Sequence, residues 1–237
     1  MCLATAVHHR YKTDGSESPG LGKFPEELAN FPGPWSFMPE LIAPPSEGIA
    51  SLSPSNLGMV MATGVVSLAA DGLGFSQLAR ALFVINLGLY AVLCVLMTVR
   101  AIRHPARFFG DMFDHREGPG YFTAVAATSL LAGQFIVLND DTRTAMVLWG
   151  VALALWLVLT YAIFAGLTVS SKKPSLKNGI SGGWLLAVVA TQSVSVITSL
   201  LTPHAEQPIR LTMDFLALTT WLWGGMLYIW LMALIFY

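Results

Sequence analysis

Residues 121–138 read YFTAVAATSLLAGQFIVL, a stretch of 18 residues without a charged side chain. A hydrocarbon core about 30 Å thick is crossed by about 20 helical residues, so this stretch is long enough to span a membrane. The chain holds five further long apolar stretches, in which charged side chains occur only near the ends. In chain order the six are numbered runs 1 to 6: Leu57–Leu73, Leu78–Val99, Tyr121–Leu138, Thr144–Val169, Trp184–Leu201 and Leu211–Tyr237.

The composition of the whole chain agrees with this interpretation. Of its 237 residues, 54% are hydrophobic and only 11% are charged, whereas a soluble domain carries about 25% charged residues. A water-soluble protein with six such apolar helices would have nowhere to bury them. We therefore predict an all-α integral membrane protein with six transmembrane helices, one for each run.

The positions of the cations predict the orientation. Ten of the 13 Lys and Arg residues lie in the N-terminal tail and in the second and fourth connections, and only Arg80, Arg143 and Arg210 lie near the others. Cytoplasmic loops carry the excess of Lys and Arg in membrane proteins. We expect a multi-pass protein of the inner or plasma membrane with a cytoplasmic N-terminus, and its short outer connections predict three antiparallel hairpins.

Two domains follow from the change in composition near Pro54. Residues 1–53 hold seven of the 13 prolines and six acidic residues, and show no helical or strand period. Such a segment is typical of a flexible chain, so it is interpreted as a mostly flexible cytoplasmic tail. Residues 54–237 then form the transmembrane domain.

Polar and aromatic residues divide the runs into two kinds. Runs 1, 3 and 5 contain 12 Ser, Thr, Asn or Gln in 53 residues, against eight in 75 for runs 2, 4 and 6; the aromatic counts are four and 13. Polar side chains within a bilayer face other helices or a cavity, whereas bulky apolar groups tolerate lipid. This asymmetry predicts an inner set of odd runs around a polar path and an outer set of even runs.

The candidate path residues are the polar side chains of the inner set. Thr63 and Ser67 share one face of run 1, Thr128, Ser129 and Gln134 are the polar set of run 3, and run 5 carries a stripe that includes Thr191, Gln192 and Ser195. A second interpretation stays open for each, since such side chains also bond to their own helix or join neighbouring helices.

The ends of the odd runs suggest what the path would carry. All three begin on the predicted cytoplasmic side, so their N-terminal partial positive charges would converge on one mouth. The flanking connections add cations there: Arg100, Arg103, Arg107, Arg116, Lys172, Lys173 and Lys177. Anions would be attracted to this mouth, although basic cytoplasmic loops occur in membrane proteins of every kind.

Other chemistry finds little support in the sequence. The histidines His104 and His115 lack the spacing of a metal site, and no phosphate-binding loop or nucleophile elbow is present. Asp111, Asp114, His115 and Glu117 form one dense group of ionisable residues without a second catalytic element. We predict no enzyme activity, no metal, no cofactor and no nucleic-acid partner.

Four segments in order resemble one family of anion transporters. Residues 56–67 (NLGMVMATGVVS), 114–123 (DHREGPGYFT), 178–193 (NGISGGWLLAVVATQS) and 227–237 (LYIWLMALIFY) are similar to segments of the tellurite-resistance/C4-dicarboxylate transporter family. That family includes bacterial tellurite-resistance proteins, yeast malate and sulfite transporters, and plant slow-type anion channels. The resemblance covers residues 54–237.

The resemblance implies a fold and a function. It implies part of a ten-helix, five-hairpin pore fold, a homotrimer in lipid with one pore in each protomer, and a C4-dicarboxylate, tellurite or sulfite as the transported anion. The pore-lining positions it implies are Thr63, Gly64, Thr128, Ser129, Gln192 and Ser195.

The number of helices departs from the family pattern. Six helices are fewer than the ten that the family has, so we expect a C-terminally truncated chain, and the family's gating Phe has no counterpart here. The alternative function is a non-transporting membrane partner, or an inactive fragment of such a transporter.

Overall fold

The fold is described from a computed structural model, which covers residues 48–169 and 181–236. Most of the predicted tail and the Lys172, Lys173 and Lys177 segment lie outside the described residues. Within them the chain is helical and has no strand. The helices are α1 (Gly58–Gly72), α2 (Ser76–Arg103), α3 (Pro105–Met112), α4 (Phe122–Asn139), α5 (Thr142–Val169), α6 (Leu185–Leu201) and α7 (Ile209–Phe236).

The six runs correspond to α1, α2, α4, α5, α6 and α7, and five of these are long and apolar enough to cross a membrane. The exception is α1, whose 15 residues extend only about 22 Å at 1.5 Å per residue. The 3₁₀ turn Pro54–Leu57 runs directly into it and adds about 8 Å. The turn and helix together therefore match the thickness of a hydrocarbon core of about 30 Å.

The connection between α2 and α4 contains a helix that the sequence analysis did not predict. This helix, α3, begins at Pro105, and proline is favoured in the first turn of a helix because its missing N–H needs no partner there. Phe108 of α3 packs edge-on against Tyr121, with ring centroids 5.1 Å apart, and its carbonyl accepts a hydrogen bond from the Tyr121 hydroxyl at 2.6 Å. The connection is therefore folded against the start of α4.

The described helices form three antiparallel hairpins, as predicted: α1 with α2, α4 with α5, and α6 with α7. The hairpins join through α4, which packs against α1, α2 and α6 as well as against α5. Each hairpin has a short connection between its two helices; at the one before α5, Asp141 accepts a hydrogen bond from the Thr144 N–H. Hydrogen bonds from Thr144 lower the pKa of the Asp141 carboxyl.

Burial separates an inner from an outer set, as the residue counts predict. In an apolar stretch of 18 residues taken from each helix, the buried share is 67% for α4 and 56% for α6. It is 17% for α2 and 22% for both α5 and α7. The third predicted inner helix, α1, buries a single stripe: Val60, Gly64, Ser67 and Ala70. It lies at the edge of the described bundle, where α2 and α4 are the helices that cover it.

The starts of the inner helices lie together at one end of the bundle. A 3₁₀ turn precedes each one: Pro54–Leu57 before α1, Gly118–Tyr121 before α4 and Gly182–Trp184 before α6. The middle turn contacts both of the others. A Cβ atom on Gly120 would lie 2.5 Å from Ser55 Oγ, so glycine permits the close approach of the first two turns.

Arg100 also lies at this end, but it is not a free cation at a mouth. Its side chain is 3% exposed and forms an ion pair with Asp111. Its Nε donates to the carbonyl of Ala50 at 3.2 Å, and its guanidinium lies 5.9 Å from the centroid of the Phe108 ring. Arg100 therefore fastens α3 and the segment before α1 to the end of α2.

Candidate anion path

A cavity of about 360 Å³ lies between the three inner helices. One residue of α1, Leu68, contributes to its wall, and α4 and α6 supply the rest. The lining contains no charged side chain. Its residues are Leu68, Ser129, Leu130, Gly133, Val188, Val189, Gln192, Ser193, Val196, Ile197 and Leu200.

Three polar side chains lie in this largely apolar wall. Ser193 donates its hydroxyl to the Ala190 carbonyl of its own helix at 2.7 Å. Gln192 donates one amide hydrogen to the Trp221 carbonyl of α7 at 3.1 Å. Ser129 is 3% exposed, and within the described residues its Oγ has no hydrogen-bond partner.

Ser129 is unusual for a buried hydroxyl in a membrane helix. Such a hydroxyl ordinarily bonds to the carbonyl four residues earlier, as Thr128 does to Ala124 at 2.7 Å. A buried hydroxyl without a partner loses about 1 to 3 kcal/mol of solvation that nothing replaces. A hydrogen-bond acceptor that reached this hydroxyl would recover that free energy.

Of the nine predicted path residues, Ser129 and Gln192 line the cavity. Three of the others face the outer helix α2. Ser67 donates to the Ala79 carbonyl at 2.8 Å, Thr128 lies 2.8 Å from the Tyr90 hydroxyl, and Gln134 accepts a hydrogen bond from Asn86 at 2.7 Å. These three side chains join α1 or α4 to α2.

Two more predicted residues join α6 to outer helices. Thr191 accepts a hydrogen bond from the Trp156 indole of α5 at 2.9 Å, and Ser195 donates to the Ala217 carbonyl of α7 at 2.7 Å. The last two lie on α1 and are not part of the cavity wall. Thr63 is half-buried, and Gly64 lies where a Cβ atom would meet Leu130 Cδ2 and would lie 3.0 Å from Asn86 Nδ2.

Two residues that were not predicted from the sequence shape this region. Asn86 is fully buried, yet it lies in run 2, whose low polar content placed the whole run in the outer set. Gly224 of α7 lies directly behind the Gln192 amide. An amide inside an otherwise apolar run was a visible signal for Asn86, whereas no sequence signal distinguished Gly224 from Gly225.

The comparison with family models decides the family. The model of the voltage-dependent anion channel family (SLAC1) matches residues 51–237. The chain belongs to this family. No curated protein and no solved structure matches it.

Family membership confirms the resemblance noted in the sequence and gives the general function. The SLAC1 family comprises anion channels and transporters, so this chain is a multi-pass membrane protein whose substrate is an anion. The match covers all seven helices described above, including α3 and the cavity wall.

Proposed function

We propose that the cavity between α1, α4 and α6 is part of the path along which this protein passes a small anion through the membrane. The observation that carries the proposal is the Ser129 hydroxyl, which is buried beside the cavity and lacks a partner in the described chain. A hydroxyl without an acceptor inside a low-dielectric wall is a ready donor for an anion.

The residues that line the cavity are suited to binding an anion weakly, so that it can pass on through the membrane. An ion must be bound well enough to enter a pore and weakly enough to leave it. Ser129 and Gln192 offer neutral hydrogen-bond donors, and no fixed cation lies among the lining residues to trap an anion. The convergent starts of α1, α4 and α6 add partial positive charge at one end of the path.

We also propose a substrate, a membrane location and an oligomeric state for the protein. The transported anion is a C4-dicarboxylate, tellurite or sulfite, and the path is lined by the inner helices. The protein lies in the inner or plasma membrane with its N-terminus in the cytoplasm, and it assembles as a homotrimer. The distribution of Lys and Arg and the family membership support these points.

The test is anion flux into liposomes that contain the full chain. Malate, sulfite, tellurite and chloride are compared for the parent protein and for Ser129→Ala. A hydrogen bond to a charged group contributes about 1.5 to 3 kcal/mol, so we expect the flux of the preferred anion to change by at least about tenfold.

The matched control is Ser199→Ala. It removes a hydroxyl that donates to the Ser195 carbonyl of its own helix and that is not part of the cavity wall. Equal fluxes for the two variants would overturn the proposed path. No flux of any anion through correctly inserted parent protein would favour the alternative of a non-transporting membrane partner.

A further inference from the structure

The side-chain amide of Gln192 packs against Gly224 of α7, in a space that a side chain at position 224 would occupy. A Cβ atom on Gly224 would lie 2.5 Å from Gln192 Nε2 and 2.9 Å from its Cδ. Real Cβ atoms do not approach neighbours so closely, so a larger residue at 224 requires the amide to move. The atoms in the way belong to the far end of a flexible side chain, so the helices themselves need not shift.

Two hydrogen bonds between α6 and α7 fix the position of the Gln192 amide, which is referred to below as its seat. Ser195 donates to the Ala217 carbonyl at 2.7 Å, and Gln192 donates to the Trp221 carbonyl at 3.1 Å. The two bonds lie about one helical turn apart and set the register of the hairpin. Gly224 then provides the space into which the amide folds.

The position of the amide determines the shape of the cavity. Gln192 lies between Gly224 on one side and the cavity on the other. One of its amide hydrogens is used by Trp221, and its remaining donor and acceptor have no hydrogen bond within the described chain. If the amide leaves its seat, it loses the Trp221 bond and moves into the cavity.

We infer that Gly224 is a positioning residue that sets the anion selectivity of the path through Gln192, although it touches no anion itself. The inference rests on the proposed function, since it assumes that anions pass the cavity. A displaced amide narrows the cavity, and the narrowing acts more strongly on a large anion such as malate than on chloride.

The experiment compares Gly224→Ala with Gly225→Ala in the liposome assay, with chloride and malate as the two probes. The residues are neighbours on α7, both changes add one methyl group, and a Cβ atom on Gly225 meets nothing within 4 Å. We expect Gly224→Ala to raise the chloride-to-malate flux ratio by at least about threefold, within the range measured for side chains in contact. Gly225→Ala should leave the ratio unchanged.

Repeating the Gly224→Ala change in the Gln192→Ala protein separates an effect through the amide from a general disturbance of the fold. In Gln192→Ala the amide is absent, so adding Gly224→Ala should change the flux ratio no further. An equal effect of Gly224→Ala with and without the amide would overturn the inference, as would equal ratios for the two glycine variants.

The same set of variants distinguishes this inference from the proposed function. If Gln192→Ala leaves the flux ratio unchanged and Ser129→Ala behaves like Ser199→Ala, the cavity is not the path and both fail. If only Gln192→Ala is without effect, the path stands and the inference about Gly224 fails. If Gln192→Ala changes the ratio and Gly224→Ala does not, the path stands and the positioning role of Gly224 is wrong.

Discussion

Two sets of polar side chains on the inner helices have different surroundings. The holding set bonds to an outer helix and consists of Ser67, Thr128, Gln134, Thr191, Ser195 and Thr198. The cavity set lines the space between the inner helices and consists of Ser129, Gln192 and Ser193; among these, Gln192 also donates to a carbonyl of α7.

The difference shows why polarity in a membrane helix predicts burial better than it predicts a path. Lipid offers no hydrogen bonds, so a polar side chain gains most by turning to a neighbouring helix. The outer helices supply hydrogen-bond partners: indole, phenol and amide side chains, and backbone carbonyl groups. Ser129 stands apart because it is one of the residues that line the cavity and its buried hydroxyl has no hydrogen-bond partner in the described chain.

The largest expected effect within the holding set comes from Gln134→Leu. This change leaves the Asn86 amide fully buried without its partner, so we expect the free energy of unfolding to fall by about 1 to 3 kcal/mol, with no change in anion selectivity. Unfolding in detergent measures the first quantity and liposome flux the second.

The double variant Asn86→Leu with Gln134→Leu sharpens this test, because replacing both partners with apolar groups removes the unpaired amide. It should recover most of the lost stability. The control Gln77→Leu makes the same change at an exposed position. A stable Gln134→Leu protein with altered selectivity would move Gln134 into the cavity set.

A smaller effect is expected for Gly64→Ala, which tests a residue that the family resemblance placed on the path. The added methyl group collides with Leu130 and crowds the Asn86 amide. Overpacking of this kind costs about 1 kcal/mol or somewhat more, so Gly64→Ala should unfold more readily than Gly88→Ala.

Gly88 is the matched control because it lies within α2 and a Cβ atom there meets nothing within 4 Å. Both changes gain the same helix propensity, so their difference in thermal unfolding reports the collision alone. If the two variants unfold alike and Gly64→Ala changes flux, Gly64 contributes to the path and not to the packing of α1 on α4.

The smallest effect is expected for Thr198→Val, which removes the acceptor of the Trp149 indole at 2.8 Å. Hydrogen bonds between membrane helices contribute about 0.6 kcal/mol on average. The control Thr219→Val loses a comparable bond within its own helix. A difference in unfolding free energy between the two variants measures the indole bond, and no difference would remove Thr198 from the holding set.

Much of the fold could be predicted because the length, hydrophobicity and polar content of a whole segment decide whether it forms a membrane helix and how deeply it is buried. Each apolar run became a helix, and the excess of polar residues in runs 3 and 5 correctly predicted the two most buried helices. The helix α3 was missed because its eight residues, PARFFGDM, are too few and too polar for a membrane span, and spans were what the apolar runs indicated.

The site could be predicted only in part because the direction of a side chain depends on its neighbours. Thr128 and Ser129 are adjacent in sequence and both almost fully buried, yet one contacts Tyr90 and the other lines the cavity. Helices that are apolar on nearly all sides carry too weak a periodic signal to show which face meets which partner.

The sequence by itself determined the all-α membrane fold, the hairpin pairing, the division into inner and outer helices for α4 and α6, and the family. These follow from hydrophobicity and residue counts, which are properties of whole segments. Only the tertiary structure decided that five of the inner hydroxyls bond to outer helices, that the Ser129 hydroxyl has no partner in the described chain, and that Gly224 leaves room for the Gln192 amide. Those facts depend on distances between helices that no single segment encodes.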